Sequence, residues 1–335
     1  MSKKRIILSY DYELFFGDQS GTVQKSLIEP TNMLLDTMDS VGFKGNFFVD
    51  YFMLKYLALE TDERCKNDYA AIVDQLQDMI RRGHRIELHI HPHWVDAKYN
   101  GDGTWNYEEF RHYGLNTFTF DEVTEMFVEG TKILEEIAHT VDPSYKMVAF
   151  RAGGWAVQPF EMVEAGFRET GIKVDSSVAS GVYIEKDNTI VDFRLAPGKS
   201  HYRFSNDVCK EDLNGRYIEV PISSYYRDLF TSALSYLANK LIKGGYRITD
   251  GTHNRASDVE SETTGALQRQ SMPAMFSLDN LPLRTWIKIK RFKQDLMCFI
   301  DHPKDFNGYT LKNIRMVSRC GESETYASLL EKELI

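Results

Sequence analysis

Residues 83–94 read GHRIELHIHPHW, and this stretch carries the pattern on which the fold prediction depends. Gly83 suits the position just past the C-terminus of a helix, because glycine adopts the left-handed conformation without steric cost. The apolar residues that follow predict a short buried strand. This strand ends in three histidines within five residues. A helix, a strand and a polar strand end are typical of one repeat of an α/β protein.

The same alternation extends along the chain in both directions. Strands are predicted at residues 6–10, 45–49, 86–91, 147–151, 173–178, 217–222 and 296–300. Helices are predicted at residues 30–41, 67–82, 119–139, 158–170 and 223–242. This order predicts a parallel sheet with helical crossovers in a single domain of 335 residues. We expect residues 223–295 to form an irregular insertion before the last strand, with the polar segment 249–270 as a long loop.

The amino-acid composition favours some classes of protein for this chain and excludes others. Hydrophobic residues make up 42% of the chain and charged residues 27%, which is typical of a globular domain. The formal net charge of −9 leaves no basic footprint for nucleic acid. The apolar run at the N-terminus is too short for a secretion signal, and no run is long enough to insert into a membrane, so we expect a cytoplasmic protein. Four widely spaced cysteines predict free thiols.

The histidine cluster is the strongest candidate for a metal site, because imidazole is a common neutral metal ligand. In an extended strand, His89 and His91 project to the same side and could share one ion. His93 would then lie about 13 Å from His89, too far for two bonds to one zinc ion. Pro92 favours a turn that brings His93 back over His89. We therefore predict His89 and His93 as ligands, with His91 as the alternative.

Two further strand ends carry charged residues. Asp11 and Glu13 are spaced so that both can face one cavity; one could bind a metal while the other accepts a proton from water. A surface turn is the structural alternative for this pair. Arg151 ends another predicted strand and is followed by Gly153 and Gly154. An arginine there can hold a carboxylate while the glycine backbone approaches a ligand closely.

In chain order, residues 9–13, 89–93, 151–153, 175–177 and 302 resemble the motifs of the polysaccharide-deacetylase family, which is defined by the NodB-homology domain and is carbohydrate esterase family four. The resemblance covers residues 5–180 and returns at residues 296–303. It implies an α/β fold in the form of a distorted (β/α)7-type barrel. It also implies a metal-dependent hydrolase that deacetylates an N- or O-acetylated sugar or polysaccharide precursor. The second aspartate of the family's first motif is replaced here by Tyr12, so the ligand role passes to Glu13.

The resemblance also implies roles for individual residues. Glu13, His89 and His93 would hold a divalent ion, expected to be zinc. Asp11 would accept a proton from water, with Arg151 orienting it.

For the remaining positions, the resemblance implies that His302 protonates the leaving group, with Asp175 tuning it. The backbone N–H near Gly153 would stabilise the oxyanion. Three aromatic residues are expected to offer stacking faces to an acetylated carbohydrate, namely Tyr12, Trp94 and Trp155.

Other enzyme classes remain open from the sequence. One is an amidohydrolase or a phosphoesterase of the polymerase-and-histidinol-phosphatase type, which would use His89 and His91 and require additional histidines such as His201 or His253. Another is a metal-free relative that hydrolyses other C–N bonds. A carbohydrate-binding protein without activity is the non-enzymatic alternative.

Overall fold

The computed structural model describes residues 3–17, 19–107, 111–186, 189–226, 248–252 and 273–335. Its strands are β1 (Lys4–Tyr12), β2 (Gly45–Asp50), β3 (Arg85–Ile90), β4 (Lys98–Tyr99), β5 (Trp105–Asn106), β6 (Ala149–Ala152), β7 (Val174–Asp175), β8 (Tyr183–Lys186), β9 (Thr189–Asp192), β10 (Tyr202–Phe204), β11 (Tyr217–Glu219), β12 (Ser224–Tyr225), β13 (Ala274–Met275), β14 (Leu296–Asp301) and β15 (Gly321–Ser323). Its α-helices are α1 (Glu29–Ser40), α2 (Tyr51–Leu59), α3 (Glu63–Arg81), α4 (Phe120–His139), α5 (Glu161–Thr170), α6 (Pro282–Arg291), α7 (Thr310–Val317) and α8 (Tyr326–Glu331).

A central sheet organises the described residues. Its strand order is β10-β11-β7-β6-β3-β2-β1-β14, and β15 pairs with the first residues of β1. All pairs are parallel except β10 with β11. Helices connect the successive parallel strands from β1 to β7, whereas β8, β9 and β10 lie in the connection from β7 to β11. The prediction of a parallel α/β architecture is therefore confirmed.

The two edges of this sheet, β10 and β14, are not joined by a strand ladder in the described part of the chain. The chain beyond β11 reaches β14 through an isolated backbone hydrogen bond, in which the Ser223 N–H donates to the Cys298 carbonyl oxygen at 2.9 Å. The parallel order matches the expected barrel, whereas closure by strand pairing is not observed.

Alternation along β1 separates two environments. Ile6, Leu8, Tyr10 and Tyr12 belong to the large core between the sheet and its helices. Ile7 belongs to a smaller cluster on the opposite face, which Tyr326 and Leu329 of α8 cover. Both faces are buried, as is usual for a parallel sheet. Farther along the face that carries Ile7, called the inner face from here on, β1 carries polar residues. These residues build the site described below.

Several boundaries differ from the sequence prediction. Helix α3 begins four residues earlier than predicted, because the Asp62 side chain accepts the Arg64 N–H at 2.8 Å and caps it there. Helix α2 was not predicted, since its apolar sequence YFMLKYLAL lacks the helical period of an exposed element. The capping box of α4, formed by Thr119 and Glu122, is confirmed. Strands β7 and β11 are shorter than predicted.

The region 223–295 is described only in part. The helix predicted from residue 223 is wrong at its start, where Ser224–Tyr225 is a strand paired with Ala274–Met275. Backbone hydrogen bonds of Ser223 with Cys298 and Phe276 hold the chain extended there. Residues 227–242 of that predicted helix and 253–270 of the predicted loop lie outside the described residues, as does His253. All four cysteines are free, as predicted. Within the described ranges, every helix is too short or too polar to cross a lipid bilayer.

Candidate functional site

The inner face of the sheet carries a buried ion pair at the carboxyl ends of its strands. Arg151 Nη1 lies 2.6 Å from Asp11 Oδ1, and both side chains are almost fully buried. Burial by itself would raise the pKa of Asp11, but the positive charges of Arg151, His89 and His302 outweigh it and hold that pKa well below its usual value. Asp11 is therefore ionised at neutral pH.

Four further contacts orient the guanidinium of Arg151. Its Nε donates to the Ser176 carbonyl oxygen at 2.8 Å. Its Nη2 donates to Ser9 Oγ at 2.8 Å and to Ser176 Oγ at 3.2 Å. The guanidinium carbon lies 4.2 Å from the ring centre of Phe48. Arg151 is thus fixed from three sides, because β1, β2 and the segment after β7 all contribute a contact.

Glu13 lies beside Asp11 and faces two histidines. Its Oε2 is 3.2 Å from His89 Nε2 and 3.4 Å from His91 Nε2. Glu13, His89 and His91 each offer a ligand atom within 4.8 Å of the others, and Asp11, Glu13 and His302 do the same. All five side chains are buried except that of His302, which is one quarter exposed. Two overlapping groups of possible metal ligands therefore share Glu13.

The structure places His91, rather than His93, in the group with His89. The extended backbone continues through His91, so His89 and His91 project to the same side. The predicted turn is present as a 3-10 helix over Pro92–Asp96. It brings His93 Nδ1 to 3.0 Å from His91 Nδ1. His93 therefore contacts the edge of the His91 ring opposite to Nε2, the atom that faces Glu13. The structure therefore brings His89 together with His91 beside Glu13, and not with His93 as predicted, while His93 contacts His91.

The tautomer of His89 bears on whether a metal fits this group. His89 Nδ1 donates to the Arg151 carbonyl oxygen at 2.7 Å, so in the neutral ring the lone pair is on Nε2, toward Glu13. A lone pair and a carboxylate oxygen 3.2 Å apart repel each other unless a proton or a cation lies between them. Two imidazoles and one carboxylate are a zinc donor set that leaves a position for water. The residues present therefore fit a divalent ion.

The ionisation of His89 differs from that of His91. Burial lowers the pKa of His91 to about 3, so this ring is neutral and able to bind a metal. Burial also acts to lower the pKa of His89, but the charges of Asp11 and Glu13 overcome it and raise that pKa. A proton therefore competes with a cation for His89 Nε2. Metal binding at this group would release that proton.

His302 follows β14 and connects the buried group to solvent. Its Nε2 lies 3.5 Å from Asp11 Oδ2 and 3.5 Å from Glu13 Oε1, while its Nδ1 lies 3.5 Å from Asp305 Oδ2. Burial would lower the pKa of His302, but its hydrogen bond and charge interaction with Asp11 raise that pKa to about 9. His302 is therefore protonated at neutral pH.

Asp175 does not contact His302, and the predicted tuning role is corrected. Its Oδ1 accepts the Ser177 hydroxyl at 2.8 Å, and the carboxyl group pairs with that of Glu219. Burial, followed by the charge of Asp175, raises the pKa of Glu219 well above its usual value, so the two buried acids share a proton. The Ser177 hydroxyl in turn accepts the Ala152 N–H at 2.9 Å. Asp175 therefore supports the backbone beside Arg151, and the acids within 3.5 Å of the His302 ring are Asp11, Glu13 and Asp305.

Two of the three predicted stacking residues lie in the core. Tyr12 points to the helical side of β1, where its hydroxyl donates to Gln75 Oε1 at 2.8 Å. Trp94 is fully buried, and its Nε1–H donates to Asp50 Oδ2 at 2.6 Å. Neither side chain can offer a face to a substrate in this arrangement. Both predictions are corrected, because alternation along β1 and the turn after His91 direct these rings inward.

Trp155 is placed differently, at a cleft of about 680 Å³. The cleft is lined by Trp155, Val182, Ile184, Tyr225, Pro273, Ala274, Met275, Ser277, Asp279, Asn280, Arg284, Ile300, Asp301, His302 and Asp305. Trp155 adopts a φ of 59°, a left-handed conformation that is uncommon outside glycine and is often found at functional sites. Since His302 also lines the cleft, this is where the buried ligand group meets a space large enough for a ligand.

Gly153 lies in contact with the ring of His91. A Cβ at this position would be 2.6 Å from His91 Cγ and 2.7 Å from the Ile90 carbonyl oxygen. Only a glycine permits this approach without displacing the histidine. The position is therefore part of the site through its effect on His91, while the predicted interaction of its N–H with an oxyanion stays a prediction.

Sequence analysis did not identify Lys304, Asp50 or Glu219. The Lys304 side chain is only 3% exposed, and its Nζ lies 2.9 Å from Glu13 Oε1. Asp50 is buried next to His89 on the neighbouring strand, and burial raises its pKa to about 7. The position of Asp50 at the end of β2 was a signal that could have been used. Lys304 carried no such signal, since its contact depends on the pairing of β14 with β1.

No family model matches the sequence, and no curated protein is significantly similar to it. Solved structures with similar folds include a candidate polysaccharide deacetylase from Mycobacterium smegmatis, with 13% identity, 99% of this chain and 90% of that chain covered and a TM-score of 0.43. A 4-alpha-glucanotransferase from Thermococcus litoralis has 12% identity, 99% and 41% coverage and a TM-score of 0.46. The Xyl-CE4 domain of a multidomain xylanase from the hindgut metagenome of Trinervitermes trinervoides has 10% identity, 100% and 93% coverage and a TM-score of 0.39. With TM-scores below 0.5, these likenesses establish neither a family nor an activity for this chain.

Proposed function

We propose that this chain is a metal-dependent hydrolase that removes acetyl groups from a sugar or a polysaccharide precursor. The observation that carries the proposal is the convergence of Glu13 Oε2, His89 Nε2 and His91 Nε2 beside the ionised Asp11. A base, a protonated acid and a set of metal ligands within one pocket are what hydrolysis of an amide or ester requires.

Glu13, His89 and His91 would hold the ion, which we expect to be zinc. When bound, it would increase the acidity of a water molecule and polarise the acyl oxygen. Asp11 then accepts the proton of the attacking water, because the ion pair with Arg151 keeps its carboxylate ionised and oriented.

His302 supplies the proton for the leaving group. It is protonated at neutral pH, it contacts Asp11, and it lines the cleft. The proton that Asp11 takes from water can return to His302 through their 3.5 Å contact. The base and the acid therefore exchange a proton directly, and the site regains its starting charge after each turnover.

The cleft is suited to a carbohydrate. Trp155 and Tyr225 provide aromatic groups in the lining, and Asn280 and Asp279 provide hydrogen-bonding groups in the cleft that His302 also lines. Aromatic faces with a few polar groups match a sugar ring, which is apolar on its C–H face and polar at its edge. We also propose that residues 223–295 are an insertion that shapes this cleft, because Tyr225, Asn280 and Asp279 belong to it.

Replacing Asp11 by asparagine tests the proposal. Asp11→Asn should bind one equivalent of zinc and lose roughly a hundredfold or more in turnover. Acetate release from a panel of acetylated sugars, with and without a chelator, measures activity, and elemental analysis measures the metal. Asp74→Asn on the exposed surface of α3 is the matched control and should keep full activity. Near-normal turnover of Asp11→Asn would refute the assignment.

A second candidate is a metal-free hydrolase of other C–N bonds. The observation that favours it is the balance of buried charges. Arg151 already pairs with Asp11 and Lys304 with Glu13, so both carboxylates have a cation without an added metal ion. Activity that survives exhaustive chelation, with no metal in the purified protein, would favour this candidate over the first.

A further inference from the structure

Lys304 is a buried cation next to the proposed metal ligands, and it lies in the short turn Pro303–Asp305 that follows His302. Its side chain is 3% exposed. An ammonium group in such a position must be paired and hydrogen-bonded, because an uncompensated buried charge is strongly unfavourable. Lys304 is therefore held by specific partners.

Three contacts hold the ammonium group of Lys304. Lys304 Nζ donates to Glu13 Oε1 and to the Leu14 carbonyl oxygen, both at 2.9 Å. It also lies 3.9 Å from the ring centre of Phe16, within the range of a cation–π interaction. With its donors engaged in this way, Lys304 is not arranged to bind a substrate.

The two oxygens of Glu13 have different neighbours. Oε1 faces Lys304, and Oε2 faces the Nε2 atoms of His89 and His91. A carboxylate can rotate about its terminal bond, so a partner for Oε1 determines where Oε2 points. Arg151 has the same relationship with Asp11. Each carboxylate of the site is therefore paired with its own buried cation.

We propose that Lys304 is a positioning residue that holds Glu13 turned so that Oε2 faces His89 and His91. This inference rests on the metal-dependent function proposed above. Without the ammonium group, Glu13 can rotate or move toward His302, which lies 3.5 Å from Oε1. The ligand set is then no longer preorganised, and metal affinity falls because ligand orientation depends on such outer contacts.

The experiment compares the full-length wild type with Lys304→Met and Lys304→Arg. Zinc affinity is measured by competition with a chromophoric chelator, and the ligand geometry by the visible spectrum of the cobalt-loaded protein. Lys304→Met should bind zinc at least tenfold more weakly and change the cobalt spectrum. Lys304→Arg, which keeps the charge and can still donate to Glu13, should bind zinc more tightly than Lys304→Met. Lys132→Met on the exposed surface of α4 is the control and should change neither.

Wild-type zinc affinity and an unchanged cobalt spectrum in folded Lys304→Met would overturn the inference. An affinity of Lys304→Arg as low as that of Lys304→Met would overturn it too, because loss of packing would then be responsible. If Lys304→Met does not fold, Lys304→Ala replaces it under the same criteria, since it also removes the hydrogen-bond donor to Glu13. A wild-type protein that binds no zinc or cobalt would instead refute the metal-dependent function itself.

Discussion

Arg151 Nη1 donates to Asp11 Oδ1 at 2.6 Å, and this ion pair joins β6 to β1 across the inner face of the sheet. The two residues are 140 positions apart in the chain. Their contact is possible because β1, β2, β3 and β6 are parallel neighbours whose carboxyl ends lie at one edge. The stability of the fold and the ionisation of the proposed base therefore depend on the same interaction.

Removing the charge of Arg151 should affect stability. Arg151→Met leaves the buried carboxylate of Asp11 without its cation, and we expect the free energy of unfolding to fall by about 3–5 kcal/mol. Urea denaturation measures this change. Arg168→Met is the control, because Arg168 forms an exposed pair with Glu164 within α5 and should cost less than about 1 kcal/mol. Equal stability of the two variants would contradict the role of the buried pair.

The choice between His91 and His93 as a metal ligand can be tested directly. His91→Gln removes a proposed ligand and should weaken zinc binding by roughly a hundredfold or more. His93→Gln should cost about tenfold or less, because its amide can still contact His91 Nδ1. Chelator competition on both variants gives the two affinities. The opposite order would restore the pair His89 and His93.

Gly153 should not tolerate a side chain. In Gly153→Ala the new methyl group would lie 2.6 Å from His91 Cγ, so either the ring or the backbone that follows β6 must move. We expect a loss of about 1–3 kcal/mol in stability, together with weaker zinc binding. Gly198→Ala is the matched control, since no atom lies within 4 Å of a Cβ placed there. If both variants bind zinc like the wild type, the contact does not hold His91.

His84 lies outside the candidate site, and its burial should make the protein less stable in mild acid. Burial, assisted by the charge of Lys44, lowers the pKa of His84 from 6.5 to about 4, and its Nδ1 accepts the Gly45 N–H at 2.9 Å. The unfolded chain thus takes up a proton near pH 6.5 that the folded protein takes up only near pH 4. The stability from neutral His84 is present above pH 6.5 and is lost as the pH falls toward 4.

Urea denaturation at pH 7 and at pH 5 measures this effect. The wild type should lose about 2 kcal/mol more than His84→Gln between these values. The glutamine oxygen can still accept the Gly45 N–H but takes up no proton. An identical pH dependence of the two proteins would show that His84 does not titrate as its burial requires.

The secondary structure predicted from sequence is most accurate where the pattern is local. The apolar run of β1, the apolar run of β3 and the capping box of α4 each depend on residues that are neighbours in the chain. Helix α2 was missed because a fully buried helix shows no amphipathic period. The early start of α3 depends on a single cap at Asp62.

The sequence by itself determined that Asp11, Glu13, His89 and Arg151 would gather, because residues at the ends of parallel strands share one edge of the sheet. Tertiary structure decided which way the neighbouring side chains point. It placed His91 between His89 and His93, buried Trp94, and left Trp155 at the cleft. These outcomes depend on turn geometry and on packing against other elements, which local sequence does not encode.

Lys304 shows the same limit most clearly. It meets Glu13 although 291 positions separate them, because β14 pairs with β1 and the turn after β14 directs the ammonium group inward. A lysine two residues after a histidine has no pattern that predicts burial. Residue types and strand ends can be read from the sequence. The partner of each charged residue is set instead by long-range strand pairing, because a buried charge without a partner is too costly to retain.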